Sequence, residues 1–254
     1  MTDARTDSEL SRDFATSAGQ LLLKLRADSG FSDPWKLRDA GDHNSNVHLL
    51  ALLAEARPDD IVLSEESADD KRRLQADRVW IIDPLDGTTE FGEPERTDWA
   101  VHVALWQRGR GLTDGAVALP ARGLTLSTAD ALPTRGEPAR NPRLAVSRTR
   151  RPPWVVDVAE KVSGALTPIG SAGMKAMSVV LGETDAYLHS GRMKEWDSAA
   201  PVVVAAAAGL HTGQLDGSPL EFNKPSRLTE QLLICHPSLT DSLVAACIAG
   251  PPKH

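Results

Sequence analysis

The sequence predicts an α/β protein in which layers of helix alternate with layers of sheet. Strand-like and helix-like segments occur in both halves of the chain, and the first half changes from helical spacing to a run of short apolar strands. A chain of 254 residues buries a substantial core, as one large domain or as two closely packed halves. We place the division at a connection rich in Pro and Arg, between an α+β half, residues 1–140, and an α/β half, residues 141–254.

The first half begins with helices. Thr6 and Glu9 predict a capping box, apolar residues then recur at helical spacing, and Gly30 is the expected end. Residues 31–46 are dense in turn formers and predict a loop or hairpin, followed by a second helix over 46–57. Short apolar or alternating runs then predict strands at 61–63, 79–82 and 99–106, and a meander through 116–120 and 124–128.

The second half alternates between the two kinds of element. Strands are predicted at 144–146, 185–189 and 232–235, and helices at 154–166, 172–182, 197–208 and 238–248. The alanine-rich helix in this series is expected to stop at Gly209.

Composition restricts the function classes. A formal net charge of −7 argues against a nucleic-acid polymer as partner, because binding a phosphate backbone needs an excess of Lys and Arg. No apolar run approaches the roughly 20 residues of a membrane span, and the polar N-terminus predicts no signal peptide. We therefore expect a cytoplasmic protein without a membrane partner. Cys235 and Cys247 match no zinc spacing, and we expect buried thiols rather than a disulfide.

The stretch WIIDPLDGTTEFG, residues 80–92, leads an apolar strand into two carboxylates. Asp83 and Asp86 are three residues apart, and like charges at short range resist joint ionisation unless a cation compensates. Hard divalent cations such as Mg²⁺ prefer oxygen ligands. The glycine and two threonines at 87–89 allow close backbone approach and add amides and hydroxyls, as a phosphate site needs. The alternative is a plain Asp-rich turn in which each carboxylate bonds its own backbone.

Further acids follow other predicted elements. Glu65 and Glu66 end an apolar run, and a neighbouring strand could bring that end beside Asp83. Asp197 precedes an apolar helix, and Asp42 lies among turn formers. Taken singly, the Glu pair is most simply a solvated strand end, and the two aspartates are helix or turn caps.

Together these motifs resemble the lithium-sensitive, magnesium-dependent phosphatase superfamily of inositol monophosphatases, fructose-1,6-bisphosphatases and 3′(2′),5′-bisphosphate nucleotidases. The matching motifs are GD at 41–42, SEES at 64–67, WIIDPLDGTTEF at 80–91 and EWDSAAP at 195–201. The resemblance implies a layered α/β/α/β/α sandwich, with the metal motifs in residues 1–140 and with residues 141–254 closing the active site. It also implies a homodimer and inhibition by Li⁺.

The resemblance further implies two or three Mg²⁺ ions and the residues around them. The implied metal ligands are the carboxylates of Glu65, Asp83, Asp86 and Asp197 and the carbonyl of Leu85. Asp42 and Thr88 are similar to the pair that orients the attacking water, and Glu66 lies near a weaker third ion. The amides of Gly87 and Thr88, with Thr89 beside them, are similar to a phosphate cradle. Paired ions stabilise the entering and leaving oxygens, so no covalent phosphoenzyme is needed.

Later motifs favour one branch of the family. The stretches GSAGMK at 170–175, KEWDSAAP at 194–201 and SPLEFNK at 218–224 resemble the nucleotidases, including the CysQ-type enzymes, although Phe222 replaces a tyrosine. A nucleoside 3′,5′-bisphosphate carries a second phosphate that basic residues must meet. The candidates for binding it are Ser171 in the Gly/Ser turn and the bases Arg148, Lys175, Arg192, Lys194 and Lys224. Each base alone is more simply a solvated surface residue. Phe222 or Trp196 packs either on the adenine or in the core.

The sequence therefore predicts a Mg²⁺-dependent phosphoric monoester hydrolase. We expect metal-activated water to remove the 3′-phosphate of adenosine 3′,5′-bisphosphate, and that of its sulfated form, in sulfur metabolism. The alternatives within the family are an inositol-1-monophosphatase and a fructose-1,6-bisphosphatase. A different class of function is a catalytically silent metal- or nucleotide-binding regulator on the same fold.

Overall fold

The computed structural model describes residues 4–133, 136–138 and 140–248. The α-helices in this part of the chain are α1 (Asp7–Ser29), α2 (Pro34–Ala56), α3 (Thr88–Phe91), α4 (Pro153–Lys161), α5 (Ala172–Val180), α6 (Glu195–Ala207) and α7 (Thr240–Ile248). The strands are β1 (Ile61–Ser64), β2 (Arg78–Asp86), β3 (Ala100–Gln107), β4 (Gly111–Leu119), β5 (Leu124–Ser127), β6 (Arg143–Ser147), β7 (Ala165–Ile169), β8 (Ala186–Lys194), β9 (His211–Gly213) and β10 (Leu228–Cys235). Within the described residues, every helix is too short or too polar to cross a membrane.

Two five-stranded sheets and three layers of helix form a layered sandwich. The first sheet has the order β1-β2-β3-β4-β5, and the second has the order β7-β6-β8-β10-β9. Helices α1 and α2 pack on the first sheet, α5 and α6 lie between the sheets, and α4 and α7 pack together outside the second. Three apolar clusters fill the four interfaces between these layers, because the cluster around α5 and α6 contacts both sheets. The layered α/β/α/β/α arrangement is therefore confirmed.

The first helix follows its sequence signals. The Thr6 hydroxyl accepts the N–H of Glu9 at 3.2 Å, and the Glu9 carboxylate accepts the N–H of Thr6 at 2.8 Å. At the other end, the N–H of Gly30 donates to the carbonyl of Arg26 at 3.1 Å. Both ends are therefore satisfied by local hydrogen bonds, as the capping box and the glycine predicted.

The loop or hairpin predicted for residues 31–46 is wrong, because α2 already begins at Pro34. Asp33 caps the helix by accepting the N–H of Lys36 at 3.1 Å, and proline is well suited to the first helical position. Among the turn-forming residues inside the helix, Ser45 and Asn46 are buried and bonded to other segments. For example, the hydroxyl of Ser45 donates to the carbonyl of Pro84 at 2.7 Å. Tertiary contacts outweigh local preference over this stretch.

The second half differs from prediction at its strands. The helix predicted over 154–166 ends at Lys161, and β7 follows it parallel to β6. Since β7 is an edge strand, Pro168 can lie in it without breaking the interior of the sheet. The other edge strand, β9, was not predicted, and β8 extends well beyond 185–189. Cys235 and Cys247 are free and buried, as expected.

Candidate active site

Two strand ends bring the first acids together. β1 and β2 are parallel, with Ser64 beside Ile82. Glu65 and Asp83 are the next residues along these two strands, so they lie side by side where the paired region ends. The sequence predicted this neighbouring arrangement of the two strand ends.

A bulge in β2 separates the two acids of the central motif. Asp83 lies opposite His102 and Asp86 opposite Ala100, so the two residues between the acids face one residue of β3. Pro84 lacks an N–H and suits such an interruption of the ladder. Bulges redirect the side chains beside them and are frequent next to active sites.

The turn after the bulge requires glycine. Gly87 has φ +85°, in the left-handed region, and α3 begins directly after it. A Cβ at this position would lie 2.8 Å from the Cβ of Ser171 and 3.3 Å from the carbonyl oxygen of Asp98. The chain therefore passes closer to its neighbours here than any side chain would allow.

Asp83 is completely buried and incompletely bonded. Its Oδ1 accepts the N–H of Leu85 at 3.0 Å, whereas Oδ2 has no hydrogen-bond partner in the described part of the chain. Burial, followed by the charges of Glu65 and Asp86, raises the pKa of Asp83 well above its ordinary value. A buried acceptor without a donor is costly, and a cation would relieve both the lost bond and the repulsion.

Asp86 has the opposite environment. Its Oδ1 accepts the N–H of Ala172 at 3.1 Å and its Oδ2 that of Gly173 at 2.5 Å. His102 Nε2 lies 3.2 Å from the same Oδ2. Burial alone would raise the pKa of Asp86, but His102 and the Gly173 N–H outweigh it and lower the pKa. The start of α5 therefore holds this carboxylate in its charged form.

The remaining two acids of the predicted ligand set repel each other. Asp197 lies in the first turn of α6, and its Oδ2 accepts the N–H of Lys194 at 3.0 Å. Burial and the charge of Asp86 raise the pKa of Asp197 to about 6. Glu65 keeps an exposed surface, yet partial desolvation and the charge of Asp197 raise its pKa to about 7.

The predicted water-orienting pair is in contact. The Thr88 hydroxyl lies 3.2 Å from the carbonyl oxygen of Leu85 and 3.4 Å from Oδ1 of Asp42. Burial and the charge of Glu66 raise the pKa of Asp42 to about 7. Glu66 itself is exposed, and its N–H donates to the hydroxyl of Ser64 at 3.3 Å.

The ligand chemistry fits a hard cation. The candidate donors are carboxylate and carbonyl oxygens, and the unpaired Oδ2 of Asp83 lies among them. Within the described residues, no three acid, histidine or cysteine side chains already form a closed metal site. Mutually repelling carboxylates spread apart without a cation between them, and Mg²⁺ usually takes one or two carboxylates and keeps several waters.

A cavity of about 610 Å³ adjoins these acids. From the predicted site residues it is lined by Asp86, Gly87, Thr89, Ser171, Lys175, Arg192 and Asp197. Asp83, Leu85 and Thr88 do not line the cavity themselves, but they lie within three residues of Asp86 or Gly87 in the chain. The structure thus brings the acidic motifs and part of the predicted substrate set to one place.

Arg148 lies outside the lining. Its guanidinium pairs with the carboxylate of Glu90 at 2.9 Å and with that of Glu93 at 3.1 Å. Two carboxylates already compensate its charge, so Arg148 is held by these ion pairs outside the cavity.

Lys194 and Lys224 also lie outside the lining of this cavity. Lys194 Nζ lies 5.8 Å from the centroid of the Trp196 ring, and Lys224 lines two other cavities. Trp196 is buried in the apolar cluster between the sheets, and Phe222 packs against the same cluster. Their placement agrees with the core alternative for both aromatic residues.

Sequence reasoning missed several residues of the cavity. Arg150, Trp154 and His189 line it, and Tyr187 lies beneath Lys175, whose Nζ is 5.3 Å from the ring centroid. Lys175 also donates to the carbonyl of Gly170 at 2.6 Å. Burial lowers its pKa, although the nearby acids oppose that shift. The run RTRRPPW contains Arg150, but nothing in its spacing separates that arginine from its neighbours.

Comparison with known proteins defines the class. A model described as "Inositol monophosphatase family" matches residues 11–248, so the chain belongs to the inositol monophosphatase family. Members of this family are generally metal-dependent, and this chain is a hydrolase of phosphoric monoesters. The predicted resemblance is confirmed.

Solved structures agree on the fold. Inositol monophosphatase - II from Staphylococcus aureus superposes with a TM-score of 0.78 at 18% identity, covering 93% of each chain. Mycobacterium tuberculosis SuhB gives a TM-score of 0.72 at 24% identity, covering 95% of each chain. Another structure of the Staphylococcus aureus protein contains bound 2′AMP.

Curated relatives are more similar in sequence. A Mycobacterium leprae protein named 3′-phosphoadenosine 5′-phosphate phosphatase is 49% identical over 94% of this chain and 92% of its own length. The Mycobacterium tuberculosis protein of the same name is 50% identical over 90% of this chain and 88% of its own. The Escherichia coli 3′(2′),5′-bisphosphate nucleotidase CysQ is 32% identical over 72% of this chain and 78% of its own.

Proposed function

We propose that this protein is a Mg²⁺-dependent phosphatase that removes the 3′-phosphate of adenosine 3′,5′-bisphosphate, and also acts on its sulfated form, in sulfur metabolism. The observation that carries the proposal is one cavity in which Asp86 and Asp197 share a lining with Arg150 and Arg192. Metal-binding acids and phosphate-binding bases in one cavity suit a substrate with two phosphates. The name of the relatives at 49% and 50% identity, 3′-phosphoadenosine 5′-phosphate phosphatase, supports the same substrate.

The acids would hold the metal in two overlapping sets. The first set would be Glu65, Asp83 and the Leu85 carbonyl, the second would be Asp83, Asp86 and Asp197, and Glu65 and Glu66 would hold a weaker third ion. When bound, Mg²⁺ neutralises charge on the phosphoryl oxygens and makes a water more acidic. The unpaired Oδ2 of Asp83 supports a bridging role for this residue.

The protein's own groups position the reactants. Asp42 would accept a hydrogen bond from the attacking water, with the Thr88 hydroxyl fixing that water from the other side. The amides of Gly87 and Thr88 would receive phosphoryl oxygens, with Thr89 in the adjoining cavity wall. Transfer to water through a metaphosphate-like transition state depends mainly on such positioning and charge neutralisation.

The second phosphate would lie among the bases of the cavity. Arg150 and Arg192 both line it, and Ser171 and Lys175 contribute at the start of α5. Residues 141–254 would thus close the active site over the acids of residues 1–140. We retain Lys194, Lys224 and Arg148 as weaker candidates, since each contacts other groups or other cavities.

The deciding measurement is kcat/KM for phosphate release with Mg²⁺ present. The value for adenosine 3′,5′-bisphosphate should exceed that for inositol 1-phosphate by about a hundredfold or more, because a substrate with one phosphate leaves the bases unpaired. It should also exceed the value for fructose 1,6-bisphosphate, by a smaller factor, because that substrate has a second phosphate for the same bases. Excess chelator should abolish turnover and Li⁺ should inhibit it. Preference for either alternative ester would overturn the proposal, as would full activity in chelator.

The regulator hypothesis makes a different prediction. Tight nucleotide binding without turnover would favour it over the enzyme. The homodimer stays a prediction of the resemblance, to be checked by sedimentation of the full chain, and the cytoplasmic location stays a prediction from composition.

A further inference from the structure

A buried polar network joins three segments close to the acids but outside the cavity lining. We call it the Arg73 network and define it as Asp69, Arg73, Glu195 and Asn223. It connects the segment after β1, the start of α6 and the loop before β10. All four side chains are at most 8% exposed.

Arg73 is the centre of the network. Its Nε donates to Oδ1 of Asp69 at 2.6 Å, its Nη1 to Oδ1 of Asn223 at 2.7 Å, and its Nη2 to the carbonyl of Lys224 at 2.9 Å. Asn223 returns a bond from Nδ2 to the carbonyl of Arg73 at 3.0 Å. The planar guanidinium thus fastens the loop before β10 to the segment after β1.

Glu195 fastens the same loop to α6. Its two carboxylate oxygens accept the N–H of Asn223 at 2.7 Å and the N–H of Lys224 at 2.9 Å. Its own N–H donates to the carbonyl of Arg227 at 3.0 Å. Asn223 and Arg227 both have positive φ, 58° and 56°, so the loop has a specific shape that presents these groups to Glu195.

The two segments joined in this way carry acids that repel each other. Glu65 lies at the start of the segment that contains Asp69 and Arg73, and Asp197 lies two residues after Glu195 on α6. Their like charges favour separation of the segments. A network of paired charges and hydrogen bonds between the segments opposes that separation.

We propose that Arg73, Glu195 and Asn223 are positioning residues that hold Glu65 and Asp197 at the separation that divalent cations require. The inference rests on the proposed function, because it takes these two acids as metal ligands. It also assigns a purpose to residues 223–224 of the motif SPLEFNK. Their backbone and the Asn223 amide fasten the loop, which explains why Lys224 does not line the active-site cavity.

The test is Mg²⁺ binding to the full chain, measured by calorimetry after metal removal. Asn223→Gly keeps a residue that tolerates positive φ but removes both amide bonds to Arg73. The matched control is Ser163→Gly, an exposed residue with φ 53° just after the end of α4.

Asn223→Gly should weaken the binding of Mg²⁺ and raise its Kd by about tenfold or more, as loss of supporting contacts around metal ligands does. Its kcat at saturating Mg²⁺ should stay within about twofold of wild type. The control should bind Mg²⁺ like wild type.

A second variant, Glu195→Gln, places an amide donor against two backbone N–H groups and should weaken Mg²⁺ binding in the same direction. An unchanged Kd with a lowered Tm in both variants would overturn the inference, and so would failure of both to fold. Wild type that binds Mg²⁺ without hydrolysing adenosine 3′,5′-bisphosphate would refute the proposed function alone. Wild type that binds no Mg²⁺ would refute both proposals, whereas an unchanged Kd in the variants of an active wild type would refute the positioning inference alone.

Discussion

The acid cluster, which we define as Glu65, Asp83, Asp86 and Asp197, and the Arg73 network share two segments of the chain, yet their polar groups are satisfied to different degrees. In the network, Arg73 donates to three acceptors and Glu195 accepts two N–H groups. In the cluster, Oδ2 of Asp83 has no partner within the described residues, and the pKa of Glu65 is raised to about 7. The same fold therefore supplies hydrogen-bond partners to buried polar groups in the network and leaves the carboxylates of the cluster short of partners.

This difference indicates where a ligand belongs. Buried polar groups in native proteins are almost always paired, so a shortfall needs an explanation such as an ion. The shortfall here consists of negative charge and oxygen acceptors, which is the environment that a hard cation prefers. A bound cation would satisfy the unpaired Oδ2 of Asp83 and also balance the surplus of acid around it.

The largest expected effect follows from removing the charge of Asp83. Asp83→Asn should lower kcat/KM by more than about a hundredfold, because one ligand would serve two ions. In metal-free protein the same change should raise Tm or leave it unchanged, since it removes a repelled, buried charge. The control is Asp77→Asn, at a side chain that is 87% exposed. A large fall in Tm for Asp83→Asn would contradict the comparison.

Asp197→Ala should separate activity from stability. The change removes the hydrogen bond to the N–H of Lys194, and loss of a cap costs about 1 kcal/mol. This corresponds to about 2–4 °C in Tm for a chain of this size. Activity should fall by more than about a hundredfold. Thr6→Ala removes a comparable cap on α1 and should lower Tm similarly with activity retained. Equal activity losses in both variants would show that Asp197 acts through stability.

Two arginines before α4, Arg148 and Arg150, show the same contrast between paired and unpaired groups for positive charge. Arg148 is paired with two glutamates, whereas in the described part of the chain no ion pair forms to Arg150. Arg150→Ala should raise KM for adenosine 3′,5′-bisphosphate by about tenfold with little change in kcat, and should hardly affect adenosine 3′-monophosphate. Arg148→Ala is the matched control. A larger KM effect from Arg148 would reverse their assignment.

The smallest expected effect concerns His189, whose Nε2 is buried without a partner among the described residues. Burial, then the charges of Lys175 and Arg150, lower its pKa from 6.5 to about 4. The neutral ring is therefore fully compatible with folding above pH 6.5, and stability is lost as the pH falls from 6.5 towards about 4. His189→Gln should reduce the fall in Tm between pH 7 and pH 5 by about 2 °C. An unchanged fall would place the acid sensitivity elsewhere.

Local signals in the sequence were sufficient to predict the structure where a residue interacts within its own segment. Thr6, Glu9 and Gly30 marked the ends of α1 because capping involves residues three or four apart. The neighbouring ends of β1 and β2 also followed from the sequence, since each apolar run ends directly before an acid.

The failures came where distant segments decide the structure. The early part of α2 contains a glycine at position 41, and a Cβ there would lie 2.7 Å from the ring of Phe91. Ser45 and Asn46 look like turn formers, but each is buried and bonded to another segment. No spacing within residues 31–46 reveals these partners, so the helix could not be read from the sequence.

The candidate site also has a part that the sequence predicted and a part that it did not. The acids were predicted because their motifs are compact and specific. The bases were not ranked, because Arg148 and Arg150 differ only in what lies opposite them after folding. Arg73 went unnoticed because its partners at Asn223 and Lys224 lie about 150 residues away in the chain.

The early start of α2 has a consequence for how substrate enters. Asp42 lies well inside a continuous 23-residue helix rather than on a connecting loop. Its backbone amide should therefore exchange with deuterium slowly, at a rate that bound nucleotide barely alters. Catalysis would then begin without a disorder-to-order step at this acid.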